Sequence, residues 1–269
     1  MAPTLEVPET TTDLVHDGLT RTITKTAPSL HSTSNGTSLP ELDASLLTTT
    51  LCADPRPVPA PDSAEVKATR TCTDHMITAS WTLSGGWTAP ELKPYGPLSL
   101  MPTASCLHYA TECFEGMKLY RGYDGKLRLF RPNLNCARML VSATRIALPG
   151  FRPQELERLI VALCARDGKK WLPKERPGTF LYVRPTMIAN DPALGVQKPK
   201  EALLYIIVAC FPNMSAGFGP TPGMRLLASQ DDMVRAWPGG FGYAKVGANY
   251  GPSLLAQGEA RAKGYDQIL

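Results

Sequence analysis

The feature that most constrains the fold is an amphipathic helix followed by two long apolar runs. Apolar residues recur at the spacing of one helix face, at Leu156, Leu159, Ile160, Leu163 and Cys164. Pro153 suits the start of this helix, and Gly168 predicts its end. Residues 180–189 and 202–211 read as strands, and Pro185 is a candidate break in the first, because proline cannot donate to a ladder.

A hairpin and a second helix precede this region. Residues 117–122 and 126–130 are strand-like runs on either side of Asp124-Gly125, a dipeptide typical of tight hairpin turns. Pro132 suits the first turn of a following helix. We expect the apolar face of this helix to contain Leu134, Ala137 and Val141.

The two ends of the chain differ in character. Residues 1–66 hold 8 Pro, 13 Thr and 6 Ser and show no hydrophobic period, which predicts a mostly disordered leader and a folded part that begins near His75. At the other end, residues 252–263 read as a helix that stops at Gly264, and residues 267–269 look like the beginning of a strand.

Charge and targeting patterns exclude several classes of protein. Lys and Arg number 28 against 24 Asp and Glu, which argues against nucleic-acid binding, and no run is long and apolar enough to predict a membrane span. The seven cysteines form no C-x-x-C pair, so no metal site is indicated. Residues 1–20 are acidic and lack Lys and Arg, and no apolar segment follows a basic start. We therefore expect an intracellular protein, in the cytoplasm rather than in mitochondria.

One glycine-dense segment can carry chemistry. Residues 239–251 hold five glycines around Lys245, and glycine lets a backbone approach a ligand closely. A lysine amine can attack a carbonyl and hold a cofactor as a Schiff base. An exposed lysine on a flexible loop is the alternative. The segment matches neither a phosphate-binding P-loop nor a dinucleotide fingerprint.

Two further positions could bind anions. Arg138 lies within the helix that begins at Pro132 and could hold a phosphate, although a salt bridge or a solvent-directed side chain would explain it equally. Tyr182 and Arg184 alternate along a predicted strand, so their side chains share one face and could together hold a carboxylate. A solvated polar face on an edge strand is the alternative.

Seven short motifs in order carry a family resemblance. The motifs are His108-Tyr109-Ala110, Phe114-Glu115-Gly116-Met117-Lys118, Leu129-Phe130-Arg131-Pro132, Arg138-Met139, Leu181-Tyr182-Val183-Arg184-Pro185, Ala236-Trp237-Pro238-Gly239-Gly240 and Lys245-x-Gly247-x-Asn249-Tyr250-Gly251. Together they closely resemble the branched-chain amino acid aminotransferases, which are class IV pyridoxal-phosphate enzymes, from about residue 75 to the C-terminus.

The resemblance implies a class IV aminotransferase-like two-domain α/β fold. A small domain would cover residues 75–210, a linker residues 211–220, and the start of a large cofactor-binding domain residues 221–269. Family members continue well beyond residue 269. We therefore expect a complete small domain, an incomplete large one, and little activity from this chain alone. The resemblance also implies a homodimer where the fold is complete.

The resemblance further implies transfer of an amino group between Leu, Ile or Val and 2-oxoglutarate, with pyridoxal 5'-phosphate as cofactor. Lys245 would be the catalytic Schiff-base lysine, Tyr250 would bond the phenolic oxygen of the cofactor, and Arg138 would bind its phosphate. Two alternatives stay open: a related class IV transaminase or lyase of specialised metabolism, and a non-catalytic remnant that pairs with a partner subunit. The substrate pocket would be formed by Tyr109, Phe114, Tyr182 and Arg184.

Overall fold

The computed structural model describes residues 14–16, 19–21, 38–61, 63–212, 223–229 and 233–269. Two compact units are present, residues 1–38 and residues 39–269. In the first, strands β1 (Leu14–His16) and β2 (Leu19–Arg21) pair as an antiparallel hairpin. All elements that follow belong to the second unit.

A nine-stranded, mostly antiparallel sheet forms the centre of the second unit. Its strands are β3 (Thr48–Thr49), β4 (His75–Thr82), β5 (Gly86–Trp87), β6 (Glu91–Pro94), β7 (Glu112–Phe114), β8 (Met117–Arg121), β9 (Leu127–Leu129), β10 (Phe180–Ala189) and β11 (Glu201–Cys210). The main order is β3-β6-β4-β11-β10-β8-β9, with β5 paired to β4 and β7 paired to β10. The predicted hairpin is confirmed: β8 and β9 pair antiparallel, and Gly125 takes a φ of 73° in the turn.

Five helices accompany the described strands, and the two longest enclose the core. Helix α4 packs against β4 and β10, and α3 packs against α4 and β7. The predicted face of α4 is confirmed, since its leucines and Ile160 are fully buried. The helices are α1 (Ala64–Lys67), α2 (Ser105–Tyr109), α3 (Pro132–Arg145), α4 (Pro153–Trp171) and α5 (Ser253–Ala262).

The sequence predicts that α4 ends at Gly168. This prediction is wrong, because the helix continues to Trp171. A Cβ at Gly168 would lie 2.9 Å from methyl carbons of Leu119 and Leu127. The glycine therefore allows the helix to approach the β8–β9 hairpin closely, which is a packing role rather than a capping role. The structure also shows no break at Pro185. The carbonyl of Pro185 accepts from the amide of Glu115 at the corner between β7 and β8. In an antiparallel ladder the nitrogen of a residue faces the same side as its carbonyl. The nitrogen of Pro185, which lacks a hydrogen, therefore faces this corner, where no ladder hydrogen bond is lost.

The predicted apolar face of α3 is wrong. Leu134, Ala137 and Val141 are exposed, whereas the buried positions are Cys136, Met139, Ser142 and Ala143. Both sets repeat at helical spacing, so periodicity alone could not separate them. Small and adaptable side chains line the buried face, which lets α3 approach its neighbours closely.

The leader predicted for residues 1–66 is wrong from residue 39 onward, where the chain belongs to the folded body. Leu42 is fully buried, and β3 pairs in parallel with β6. The buried Asp74 carboxylate accepts from the Arg56 amide at 2.9 Å, from Lys170 Nζ at 2.7 Å and from Trp171 Nε1 at 2.9 Å. This carboxylate thus joins the N-terminal segment to the end of α4, and the core begins well before His75.

A buried histidine reinforces the same junction. His75 Nδ1 lies 2.7 Å from Asp167 Oδ1, and the amide of Cys52 donates to His75 Nε2 at 2.9 Å. Because Nε2 accepts a hydrogen bond, the ring is neutral with its proton on Nδ1, directed at Asp167.

The C-terminal part agrees with its local predictions. Helix α5 is followed by Gly264 with a φ of 79°, and β13 (Gln267–Ile268) pairs in parallel with β12 (Leu226–Leu227). Most of the predicted linker, residues 213–220, lies outside the described residues. The division into a small domain over residues 75–210 and a large one from residue 221 therefore stays a prediction.

Asp74→Asn should lower the free energy of unfolding at pH 7 by about 1.5–3 kcal/mol, the scale of hydrogen bonds to a charged group. Burial alone would raise the pKa of the Asp74 carboxyl, but the hydrogen bonds from Lys170 and Trp171 outweigh it and hold the pKa below its usual range. The stabilisation is therefore present above the unfolded-state pKa of about 3.9, and it is lost as the pH falls through the lower folded-state value. Urea unfolding at pH 7 and below pH 4 measures this.

The matched control is Asp124→Asn, which removes an exposed carboxylate bonded to Arg128 at 2.6 Å. Solvent screens this pair, so its loss should cost much less than the loss of the Asp74 carboxylate. Equal losses for the two variants at pH 7, or a loss at Asp74 that persists unchanged below pH 3, would contradict the account.

Candidate functional site

The backbone of Lys245 is fixed on two sides by the folded body. Its carbonyl accepts from the amide of Phe114 at 3.1 Å, next to a bridge between Cys113 and Val246 that adds this segment to β7. Its amide donates to Ser142 Oγ at 2.8 Å, and Ser142 is fully buried on α3. The Lys245 backbone is therefore held between a strand and a helix, which argues against the alternative of a flexible loop.

The turn that follows places a tyrosine beside the amine. Asn249 is buried, and its side-chain amide donates to the carbonyls of Ala244 at 2.7 Å and Phe241 at 3.0 Å. These bonds close the segment around the short 3-10 turn Gly247–Asn249. Lys245 Nζ then donates to Tyr250 Oη at 2.7 Å.

The aromatic ring of Phe114 lies beside both Lys245 and Tyr250. The Phe114 ring centroid lies 4.5 Å from Lys245 Nζ and 5.2 Å from the Tyr250 ring centroid. A cation close to a ring face gains electrostatic attraction without a hydrogen bond. The amine is thus positioned by a phenol and a phenyl ring, and the place of Phe114 in a substrate pocket stays a prediction.

Arg138 lies on the same face of α3 as Ser142, since the two residues are one helical turn apart. Its Nε and Nη2 contact the two carboxylate oxygens of Glu115 at 2.5 and 2.7 Å. The Glu115 hydrogen bonds raise the pKa of the guanidinium, and the nearby Tyr250 phenol adds to the effect. Arg138 therefore forms a salt bridge, as the alternative interpretation proposed. Phosphate binding by Arg138 stays a prediction.

Tyr182 and Arg184 lie on β10, next to Phe114 of β7. Arg184 Nη2 donates to Tyr182 Oη at 3.0 Å, and the guanidinium lies 4.4 Å from the Phe114 ring centroid. Strand β10 has partners on both sides, so the edge-strand alternative is wrong. Arg184 Nε is buried without a hydrogen-bond partner among the described residues. A Cβ on Gly116 would lie 1.9 Å from Tyr182 Oη, so only glycine leaves room for this tyrosine.

Tyr109 lies apart from this group in the structure. It is exposed at the end of α2, and its hydroxyl accepts from the amide of Gly195 at 2.8 Å. Its predicted place in the substrate pocket stays a prediction. Elsewhere in the described ranges, no helix is long and apolar enough to cross a membrane, and no three His, Cys, Asp or Glu side chains come together as metal ligands.

Three supporting residues were missed by sequence reasoning. Ser142, Asn249 and Glu115 hold Lys245, the Tyr250 turn and Arg138, respectively. A weak signal existed for two of them. Glu115 and Asn249 stand inside motifs that carried the resemblance, whereas no motif pointed to Ser142.

Gly247→Ala should destabilise the protein by about 1–3 kcal/mol through overpacking. The added Cβ would lie 2.2 Å from Glu112 Oε1 and 2.6 Å from Glu112 Cγ, so the whole acidic side chain must move. Thermal unfolding measures the loss. Gly251→Ala is the control, since its Cβ meets nothing within 4 Å. Glu112→Ala should restore most of the stability of the Gly247 variant, and a lack of rescue would contradict this packing explanation.

Comparisons with known proteins agree on one family. The chain is 46% identical over 212 residues to the mitochondrial branched-chain-amino-acid aminotransferase of Schizosaccharomyces pombe, covering 78% of this chain and 48% of that protein. It is 46% identical over 235 residues to the cytosolic one of Saccharomyces cerevisiae, covering 86% and 60%. The chain thus spans about half the length of the curated relatives it matches. No protein-family model matches it.

A solved structure supports the same conclusion. The branched-chain amino acid aminotransferase from Escherichia coli matches with a TM-score of 0.51 and 25% identity, over 71% of this chain and 57% of that one. The α/β fold implied by the motifs is confirmed by this likeness. In sequence and in fold, this chain is therefore similar to the branched-chain-amino-acid aminotransferases over about half of their length.

Proposed function

We propose that this chain carries the lysine-bearing half of a transaminase site. The reaction is transfer of an amino group between a branched-chain amino acid and 2-oxoglutarate, with pyridoxal 5'-phosphate as cofactor. The observation that carries the proposal is the 2.7 Å contact between Lys245 Nζ and Tyr250 Oη, on a segment fixed by β7 and α3. The names of the matched relatives supply the substrate class.

The residues fit the cofactor by their chemistry. An amine, a phenol and a guanidinium are the donors that would meet its aldehyde, its phenolic oxygen and its phosphate, and Lys245, Tyr250 and Arg138 supply them. When bound, pyridoxal phosphate supplies the electron sink for chemistry at the substrate Cα. The protein supplies binding, orientation and charge.

Lys245 has two tasks in this proposal. Its amine would hold the cofactor, and Nζ would move the proton of the substrate Cα. The Tyr250 hydroxyl orients Nζ for both tasks, and the fixed backbone of Lys245 limits how far the amine can travel. A group that must reach one atom gains rate from such positioning.

Tyr182 and Arg184 are proposed to hold the substrate carboxylate. Because Tyr182 Oη accepts from Arg184, its own hydrogen is directed elsewhere and can be donated to a carboxylate oxygen. Arg184 Nε, which has no hydrogen-bond partner among the described residues, is a second candidate donor. A buried donor without a partner is costly, and an incoming anion would remove that cost. The Phe114 ring gives an apolar wall suited to an aliphatic side chain.

We also propose a cytoplasmic protein that assembles as a homodimer. The cytosolic relative from Saccharomyces cerevisiae supports the compartment, while the relative from Schizosaccharomyces pombe is mitochondrial. The family resemblance supports the assembly. Fractionation of cells and light scattering of the purified chain test the two statements separately.

Borohydride treatment of the full chain loaded with pyridoxal phosphate should leave a phosphopyridoxyl group on the peptide that contains Lys245. Mass spectrometry locates the label. Lys245→Ala should abolish it, whereas Lys263→Ala, which removes an exposed lysine after α5, should not. A label that stays on the protein after Lys245→Ala would refute the assignment.

Arg184→Ala should weaken binding of leucine and of 2-oxoglutarate together, because both present a carboxylate to the same group. The loss of a charge-assisted contact predicts about a 10- to 150-fold increase in each dissociation constant. Spectral titration of the cofactor-loaded chain measures it. Arg158→Ala is the control, since that arginine is exposed and bonds to Glu155. An unchanged affinity for both acids would count against the carboxylate site.

A further inference from the structure

The partner of Arg138 is the buried carboxylate of Glu115, which has no role of its own in the proposed reaction. Glu115 is fully buried. Its two oxygens receive four donors: Arg138 Nε at 2.5 Å, Arg138 Nη2 at 2.7 Å, Asn135 Nδ2 at 2.9 Å and the Gly116 amide at 3.2 Å. A buried charge is tolerated only when it is paired and hydrogen-bonded in this way.

The ion pair with Glu115 fixes one edge of the Arg138 guanidinium and leaves the other edge without a contact to Glu115. The Glu115 carboxylate takes Nε and Nη2, while the Arg138 side chain is 52% exposed and Glu115 is 0% exposed. The Nη1 edge therefore faces away from the buried acid. Because a guanidinium is a planar fork, fixing two of its nitrogens fixes the direction of the third.

The helix face that carries Arg138 also carries two residues that contact the lysine segment. Ser142, four residues later on the same helix face, accepts from the Lys245 amide. Arg145, a further turn along, lies 5.1 Å from the Phe241 ring of the same segment. The α3 stripe 138–142–145 thus faces residues 241–245, and Asn135 extends it toward Glu115.

We infer that Glu115 is a positioning residue that aims Arg138 at the phosphate of the cofactor. This inference rests on the proposed function. A bidentate partner removes the rotamer freedom of a long side chain before the ligand arrives, so less ordering cost remains on binding. Asn135 and the Gly116 amide hold Glu115 in turn.

The test compares pyridoxal phosphate with pyridoxal, which lacks the phosphate. Dissociation constants are measured by absorbance titration of the full chain. Glu115→Asp keeps the negative charge but withdraws it by one methylene, so the bidentate contact is lost while the local charge stays. We expect roughly tenfold weaker binding of pyridoxal phosphate and unchanged binding of pyridoxal. Equal weakening of both ligands, or of neither, overturns the inference.

Two further variants keep the result decisive. Arg138→Ala should weaken pyridoxal phosphate roughly 10- to 150-fold and leave pyridoxal unchanged. If Arg138→Ala does not separate the two ligands, the phosphate assignment in the proposed function fails. If it does and Glu115→Asp does not, only the present inference fails.

Asn135→Ala covers the case in which Glu115→Asp does not fold, because Asn135 is only half-buried and donates to Glu115 from the surface of α3. It should weaken pyridoxal phosphate about threefold and spare pyridoxal. An Asn135 variant that binds both ligands as the wild type does, when Glu115→Asp is unfolded, overturns the inference as well.

Discussion

The two hydrogen bonds at the Lys245 backbone are the constraint on which the rest of the site depends. Through its carbonyl the lysine joins the edge of β7, and through its amide it joins Ser142 on α3. A glycine-dense segment has a high conformational entropy when unfolded, and these bonds are what gives it one geometry. The amine, the phenol of Tyr250 and the Phe114 ring then occupy fixed positions relative to the core.

Rigid elements carry the anion-binding groups around that lysine. Arg184 sits on a strand with partners on both sides, and Arg138 sits on a helix that packs against β7 and α4. Each arginine is oriented by a neighbour, Tyr182 in one case and Glu115 in the other. Sites built on strands and helices are more precise than sites built on loops, and here the loop is held by both.

The sequence predicted the elements better than it predicted which surfaces they bury. The hairpin at Gly125, the buried face of α4 and the stop at Gly264 follow from local chemistry and were predictable. The face of α3 was not, because Cys136, Met139 and Ala143 have the same spacing as the exposed set. The role of Gly168 and the burial of Leu42 depend on partners distant in the chain, which no local pattern encodes. For the candidate site, Lys245, Tyr250 and Phe114 were found through motifs, whereas Ser142 became visible only when α3 and the lysine segment were seen side by side.

We propose that the fixed lysine segment and the Glu115–Arg138 pair form one binding site for a phosphorylated aldehyde. A crystal structure of the chain soaked with pyridoxal phosphate would test this proposal. We expect density continuous with Lys245 Nζ, and a phosphate within hydrogen-bond distance of Arg138 Nη1 while Glu115 keeps Nε and Nη2. A cofactor joined to another lysine, or a phosphate bound away from an unchanged Glu115–Arg138 pair, would contradict it.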